Sequence, residues 1–232
     1  MRIVKIVMLF ALLGSIFAGL FYQKHVIACE LVMFTNYQKI GPHIYASPNL
    51  QHQQSILKNI ENGRKRVNSL FGEMQALPKI VLVANAKEAA WYGANSTGKA
   101  SYSPWGTCIV LGPKGQNVDV TAHELVHAEV ANRVGGWFTH WMEIPIWFNE
   151  GVALMVDHRA PFLVQNIDLS EEEIEAVKTI KTAYQFFKKA ESHKNYLASR
   201  LAVKHLEPST LYQKLERIRE GENFESVFES LK

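Results

Sequence analysis

One short stretch of this 232-residue chain combines residue types and spacing that suit metal chemistry. Residues 121–127 read Thr-Ala-His-Glu-Leu-Val-His, so His123 and His127 are four positions apart. On a helix such residues share one face, and both imidazoles can bind one metal ion. Glu124 follows His123 directly, so its side chain points partly away from the helix face that carries the two histidines. Its carboxylate is therefore better placed to accept a proton from water than to bind the ion.

A second stretch supplies a third ligand. Residues 147–151 read Trp-Phe-Asn-Glu-Gly, and Glu150 lies 23 positions after His127. A catalytic zinc ion usually takes three protein ligands and keeps its fourth position for water. The sequence therefore predicts Zn²⁺ as cofactor, bound by His123, His127 and Glu150, with the water between the ion and Glu124. The alternative is that the two histidines match the motif by chance and bind no metal, because pairs of histidines four positions apart are common on helices.

The two motifs together resemble the gluzincin branch of the zincin metallopeptidases, which combine HExxH with a downstream glutamate in an NEG or NEx string. The resemblance is specific over about residues 118–157 and loose over about 40–232. It implies a zinc metallopeptidase, and it assigns to Asn149 a role in holding substrate or backbone near the cleft. The GxMEN-like string with which related aminopeptidases bind a substrate amino terminus is absent, so we expect an endopeptidase, with exopeptidase activity left open.

The ligand set predicts a mechanism in which Glu124 is the general base that activates water for attack on a peptide carbonyl. The developing oxyanion needs a further hydrogen-bond donor. Because gluzincins supply a tyrosine or histidine from their C-terminal half, we predict Tyr196 for this role. The competing residues are Tyr184, His193 and His205.

Metal-bound histidines normally donate their second N–H to a carboxylate or carbonyl group. Asp157 and Glu129 are the two carboxylates that we consider for this role. Between the metal motifs lies a run of large apolar residues that we expect to form a small core beneath the zinc. A hydrophobic substrate subsite or a membrane-facing lip is the alternative for these residues, which are Trp137, Phe138, Trp141, Met142 and Trp147.

The N-terminus predicts a membrane segment. Arg2 and Lys5 precede an uninterrupted apolar run over residues 6–22, which is just long enough to cross a bilayer as a helix. We interpret it as an uncleaved signal anchor, which predicts a single-pass protein of the cell membrane with an extracytoplasmic catalytic domain. Cleavage before Cys29 is one alternative. A lipid anchor on Cys29, from the loosely lipobox-like residues 26–29, is another.

Composition limits the remaining functions. The chain is 47% hydrophobic and 20% charged, which is typical of a folded domain with one substantial core. The net charge is +3 and no dense basic run occurs beyond residues 64–66, so we expect no nucleic-acid partner. Cys29 and Cys108 either form a disulfide or remain apart, with Cys108 a small buried hydrophobe. The oligomeric state is not indicated.

The elements that must position these residues follow from periodicity and turn signals. We predict an N-terminal segment over residues 1–24 and a zincin-like domain of the α+β class over 25–232. A small mixed sheet with helices forms its first part (25–135), the second part (136–232) is all helical, and the active-site cleft lies between them. Strands are predicted at 43–46, 79–84 and 107–111, with a loop or hairpin at 92–106. Helices are predicted at 50–71, 119–135, 145–157, 170–190 and 194–206, with a last pair after 208.

Strand 107–111 has two interpretations. In zincins, the strand just before the HExxH helix is the sheet edge that pairs with the substrate backbone, and strand addition gives such an edge a physical purpose. Otherwise the strand is internal. The function predicted from the sequence is hydrolysis of peptides or proteins by zinc-activated water. Two alternatives remain: a non-enzymatic module of the same fold that binds peptides or envelope partners, and a zinc amidohydrolase that acts on non-peptide amides.

Overall fold

The computed structural model describes residues 23–188 and 190–231, and its fold is α+β with one mixed sheet. The strands are β1 (Gln38–Gly41), β2 (Ile44–Ala46), β3 (Lys79–Leu82), β4 (Gly98–Ser103) and β5 (Gly106–Leu111). Their order across the sheet is β1-β2-β3-β5-β4. The inner strands β2, β3 and β5 are mutually parallel, whereas β1 and β4 pair antiparallel at the two edges. Apolar runs such as Ile80–Leu82 suit the parallel centre because both faces of these strands are buried.

Helices cover the sheet and make up most of the regular structure outside it. They are α1 (Lys24–Glu30), α2 (Gln53–Phe71), α3 (Ala86–Trp91), α4 (Val118–Arg133), α5 (Trp137–Glu143), α6 (Ile146–Ala153), α7 (Glu171–Lys178), α8 (Ala183–Phe186), α9 (Ser192–Ala202), α10 (Leu211–Arg219) and α11 (Phe224–Val227). Short 3₁₀ turns connect several of them. Within the described residues every strand precedes α4, which confirms the predicted change from a sheet-containing part to a helical part.

The structure corrects several element boundaries. The predicted loop at 92–106 contains the six-residue strand β4. The run of large apolar residues between the two metal motifs, for which no helix was predicted, contains α5. Helix α4 begins after Asn117, whose side chain caps it by accepting the Val120 N–H at 3.0 Å. A capping box of Ser170 and Glu173 begins α7, which ends at Lys178 rather than continuing to residue 190.

Two layers of apolar side chains hold the fold together. The larger core lies between one face of the sheet, α2, α4 and the C-terminal helices, and it includes the fully buried Leu125, Phe148 and Leu215. The smaller core lies on the opposite face of the sheet and includes Val81 and Cys108. Helix α4 is buried along nearly its whole length between the sheet and the other helices, which fixes the orientation of its histidines.

The two cysteines form a disulfide. Cys29 of α1 and Cys108 of β5 have Cα atoms 6.5 Å apart and are bonded through sulfur. The bond ties α1 to the centre of the sheet across 79 positions of sequence. A thiol in a disulfide carries no lipid, so the lipid-anchor alternative at Cys29 is wrong.

The membrane prediction is also corrected. No helix among the residues that the structure describes is long and apolar enough to cross a bilayer. The predicted span at 6–22 lies outside the described residues, as does nearly all of the predicted segment 1–24. We therefore withdraw the single-pass, signal-anchor and cell-membrane assignments.

Candidate metal centre

Three side chains from two helices converge on one buried point. His123 and His127 come from α4 and Glu150 from α6, and each is less than a tenth exposed. The Nε2 atoms of the two histidines are 3.1 Å apart. Oε2 of Glu150 lies 3.3 Å from Nε2 of His123 and 3.5 Å from Nε2 of His127. The predicted ligand atoms thus form a small, nearly equilateral triangle.

The triangle has the dimensions of a metal site. Tetrahedral zinc with bonds of about 2.0–2.1 Å separates neighbouring ligand atoms by about 3.3–3.4 Å. Oε2 of Glu150 is buried and receives no hydrogen bond from any described residue. Three electron-pair donors that face one another at this range repel unless a cation or protons lie among them. The buried group of His123, His127 and Glu150 can therefore bind a metal ion, and its two nitrogens and one oxygen suit zinc.

The electrostatics of the site favour positive charge. Burial by itself raises the pKa of Glu150, but the positive charge of the two nearby histidines outweighs it and lowers the pKa to about 2. Burial lowers the pKa of His127, yet the carboxylates of Glu150 and Glu124 raise it to about 9. Both shifts have the same cause, which is that the buried carboxylates attract a cation.

The side chain of Glu124 lies beside the triangle and faces strand β4. It is 6% exposed, and burial raises its pKa although both histidines oppose that shift. The backbone N–H of Ala100 lies near its carboxylate and opposes part of the rise in its pKa. Gly98 passes so close that a Cβ there would lie 2.8 Å from Oε1 of Glu124. Strand β4 therefore fixes the position of this carboxylate.

Gly151, which follows the third ligand, has a packing role. A Cβ at this position would lie 2.4 Å from the carbonyl oxygen of Ser199 in α9. Only glycine lets α6 approach α9 this closely, because backbone atoms cannot move aside as a flexible side chain can. The close contact sets the position from which Glu150 reaches the two histidines.

The two carboxylates considered as supports for the histidines have different environments. Asp157 is fully buried, and its Oδ2 lies 3.9 Å from Nδ1 of His123, on the side of the ring away from the triangle. Arg159 hydrogen-bonds both oxygens of Asp157. Glu129, in contrast, accepts the Ala76 N–H at 2.7 Å and binds Arg133 at 2.6 Å. Asp157 therefore remains the carboxylate suited to orient His123, whereas Glu129 ties α4 to the chain before β3.

Asn149 belongs to a polar group that the sequence analysis missed in part. It donates to the hydroxyl of Tyr102 at 3.3 Å and helps to raise the pKa of His127. His140 of α5 packs against the Tyr102 ring with centroids 4.2 Å apart, and burial lowers its pKa to about 4. The alternation of residues 98–103 could have indicated Tyr102. A single histidine in an aromatic stretch gave no signal for His140.

Tyr196 of α9 is the only one of the four predicted oxyanion donors that the structure brings near the site, among the residues it describes. Burial raises the pKa of its phenol, and the charges of Glu150 and Glu124 raise it further, so the hydroxyl keeps its proton. Its ring packs against Phe186 with centroids 5.5 Å apart. The alternatives are all exposed residues, namely Tyr184, His193 and His205.

The free edge of the sheet faces the site, but it belongs to a different strand from the predicted one. Strand 107–111 lies within β5, between β3 and β4, so its internal interpretation is confirmed and the edge role is wrong. Strand β4 is the edge. The N–H of Gly112 donates a hydrogen bond to the Thr97 carbonyl at 2.7 Å. In an antiparallel pair, every second residue of a strand directs its N–H and C=O groups to the partner strand. Residues 98, 100 and 102 therefore direct their N–H and C=O groups away from β5.

The large apolar residues between the two metal motifs do not form the predicted small core. Trp147 alone is buried, at 5% exposed, where it packs against Phe224. The other four lie on α5 and are between 40% and 71% exposed; they are Trp137, Phe138, Trp141 and Met142. The reason is that α5 lies on the surface and presents only His140 to the interior.

Comparisons of this chain with protein-family models, with curated proteins and with solved structures found no match.

Proposed function

We propose that this chain is a zinc metallopeptidase of the gluzincin type with a zincin-like fold. The observation that carries the proposal is the buried triangle of His123, His127 and Glu150, with edges of 3.1–3.5 Å, beside the carboxylate of Glu124. A zinc ion held by these ligands would lower the pKa of a water molecule and polarise a carbonyl group. Glu124 would have no purpose beside the metal in a module that only binds peptides.

Side chains of the protein carry out the proton transfers and hold the reacting groups. Glu124 accepts a proton from the attacking water and passes it to the leaving amine. Tyr196 keeps its phenolic proton and donates a hydrogen bond to the developing oxyanion. The side chain of Asn149 interacts with His127 and helps to hold its ring in position. These roles need side chains from α4, α6 and α9 together.

The substrate backbone binds along β4. The outward N–H and C=O groups of residues 98 and 102 and the carbonyl of Ala100 can pair with an extended peptide, while the Ala100 N–H faces Glu124. Strand addition provides main-chain hydrogen bonds without regard to side chains. This geometry favours peptides over small non-peptide amides, since an isolated amide would leave most of the edge unpaired.

The first test is the metal content of the purified full chain by mass spectrometry. We expect close to one zinc per chain, with loss of zinc in Glu150→Ala and His127→Ala. The matched control is His193→Ala, which removes an exposed histidine of α9 and should keep its zinc. Wild-type protein that is folded but binds no zinc would contradict the metal site.

The second test separates catalysis from binding. Mixed peptides are incubated with wild type and with Glu124→Gln, and products are identified by mass spectrometry. We expect cleavage by wild type and at least a hundredfold lower rate in Glu124→Gln with zinc retained, because a general base contributes about 10²–10⁴-fold. Retained zinc with no cleavage of any peptide by wild type would favour the non-enzymatic module. Hydrolysis restricted to non-peptide amides would favour the amidohydrolase.

A further inference from the structure

A large cavity lies next to the metal centre at the far end of the edge strand. Its volume is about 530 Å³, within the usual range for ligand pockets. Its wall includes Ala128, which follows the ligand His127, and Tyr102, which hydrogen-bonds Asn149 beside the ligand Glu150. Two residues of the cavity wall therefore neighbour residues of the proposed active site.

The chemistry of the wall is uncharged. No aspartate, glutamate, lysine, arginine or histidine lines the cavity among the residues that the structure describes. Its rim carries large apolar side chains that are well exposed, such as Leu77 at 71%, Trp105 at 74% and Phe138 at 57%. Exposed apolar groups around a concave surface are typical of a binding site, because soluble proteins otherwise keep such patches small. A charged side chain placed here would meet no residue of opposite charge in the described wall.

The edge strand leads from the site into this cavity. Strand β4 passes Glu124 at Gly98 and Ala100, and its end at Ser103 is part of the cavity wall. The path from Ala100 to Ser103 is about 10 Å, since a strand rises about 3.4 Å per residue. A peptide extended along this edge therefore reaches the cavity with a side chain two or three positions from the cleaved bond.

We propose that this cavity, lined by Leu77, Tyr102, Trp105, Asn132, Trp137 and Phe138, is the specificity subsite of the enzyme. It selects peptide substrates with a large uncharged apolar residue two or three positions from the scissile bond, on one side of that bond only. The assignment rests on the proposed function, because it takes the peptide to lie along β4. It adds the substrate class that the metal site does not define.

Two exposed tryptophans give a matched pair of variants. Trp105 is 74% exposed and lines the cavity, whereas Trp91 of α3 is 72% exposed and lies outside its wall. Because both side chains are mostly in solvent, Trp105→Ser and Trp91→Ser should fold equally well. A third variant, Asn132→Glu, introduces a charge into the cavity wall from an exposed position on α4.

The experiment measures kcat/KM for peptides that differ only in having Phe or Ser two or three positions from the cleaved bond. Wild type should prefer Phe by about tenfold or more, the effect of burying one large apolar side chain. Trp105→Ser and Asn132→Glu should reduce this preference to less than about threefold, with zinc content unchanged. Trp91→Ser should retain it. Equal preferences in Trp105→Ser and Trp91→Ser would overturn the subsite and leave the peptidase proposal standing.

If wild type cleaves no peptide, the proposed function fails and the subsite is tested by binding alone. Fluorescently labelled Phe and Ser peptides are titrated with wild type, Trp105→Ser and Trp91→Ser. Tighter binding of the Phe peptide that only Trp105→Ser loses supports the subsite, and equal binding of both peptides refutes it. Two other results would also refute it: Trp105-dependent sedimentation with phosphatidylcholine vesicles, which assigns the surface to lipid, or a Trp105-dependent dimer, which assigns it to a second copy.

Discussion

Replacement of Gly98 by alanine should reduce catalysis without removing the metal. The new Cβ would lie 2.8 Å from Oε1 of Glu124, 3.1 Å from its Cγ and 3.1 Å from Cγ1 of Val120. Ordinary carbon–oxygen contacts are about 3.3 Å or longer. The carboxylate, or the strand opposite it, must therefore move by about 0.5 Å. None of the three metal ligands is among the atoms nearest to this Cβ.

The size of the effect follows from that displacement. Misplacement of a catalytic group by about 1 Å can cost about 10²-fold in rate, and the whole contribution of a general base is about 10²–10⁴-fold. We therefore expect kcat in Gly98→Ala to fall by about tenfold to a hundredfold. Overpacking should also lower the free energy of unfolding by about 1–3 kcal/mol. Zinc content should stay close to one per chain.

The assay compares kcat on one cleavable peptide, metal content and urea unfolding for wild type, Gly98→Ala and Gly41→Ala. Gly41 lies on the opposite edge strand, where a Cβ would meet only the flexible side chain of Ile44, the closest atom at 3.2 Å. This control should keep wild-type kcat. Unchanged kcat in Gly98→Ala would refute the inference that β4 fixes the base. Loss of zinc would show instead that the strand supports the metal ligands.

Three further predictions concern support of the site and of the fold. Asp157→Asn should weaken zinc binding by about 10–100-fold in a competition assay with a chelator, because Asp157 lies behind the ring of His123. An unchanged affinity would show that Asp157 does not orient that ring. Glu129→Ala should lower the free energy of unfolding by about 3–5 kcal/mol, since it leaves Arg133 without its buried partner. Glu222→Ala, which breaks an exposed ion pair, should leave the free energy of unfolding nearly unchanged. Cys29→Ser should cost about 2–4 kcal/mol in urea unfolding, and a cost near zero would contradict the disulfide.

Much of the site could be predicted from local spacing. The pair His123 and His127 depends only on the period of a helix, and Glu150 depends on a second short motif. The same holds for the α+β class and for most helices and strands, because apolar periodicity and turn residues are local signals. The capping box that begins α7 at Ser170 is also a local pattern.

Other features depend on which elements become neighbours. Strand β4 has small and polar residues that are ambiguous alone, and only its pairing with β5 makes it the edge strand. His140 becomes part of the site because α5 turns it inward while the aromatic residues of that helix stay exposed. The pairing of Cys29 with Cys108 required the packing of α1 on the sheet, which spacing does not give.

The sequence by itself therefore determined which reactive groups lie close together along the chain: two imidazoles and a carboxylate that could bind a metal ion, and a second carboxylate that we propose for proton transfer. The tertiary structure decided which strand and which cavity lie next to these groups. It placed Glu124 against the free edge of β4 and opened an uncharged cavity beyond Tyr102. The physical reason is that metal ligands within a helix are fixed by covalent spacing, whereas an edge strand and a cavity exist only through contacts between residues far apart in sequence.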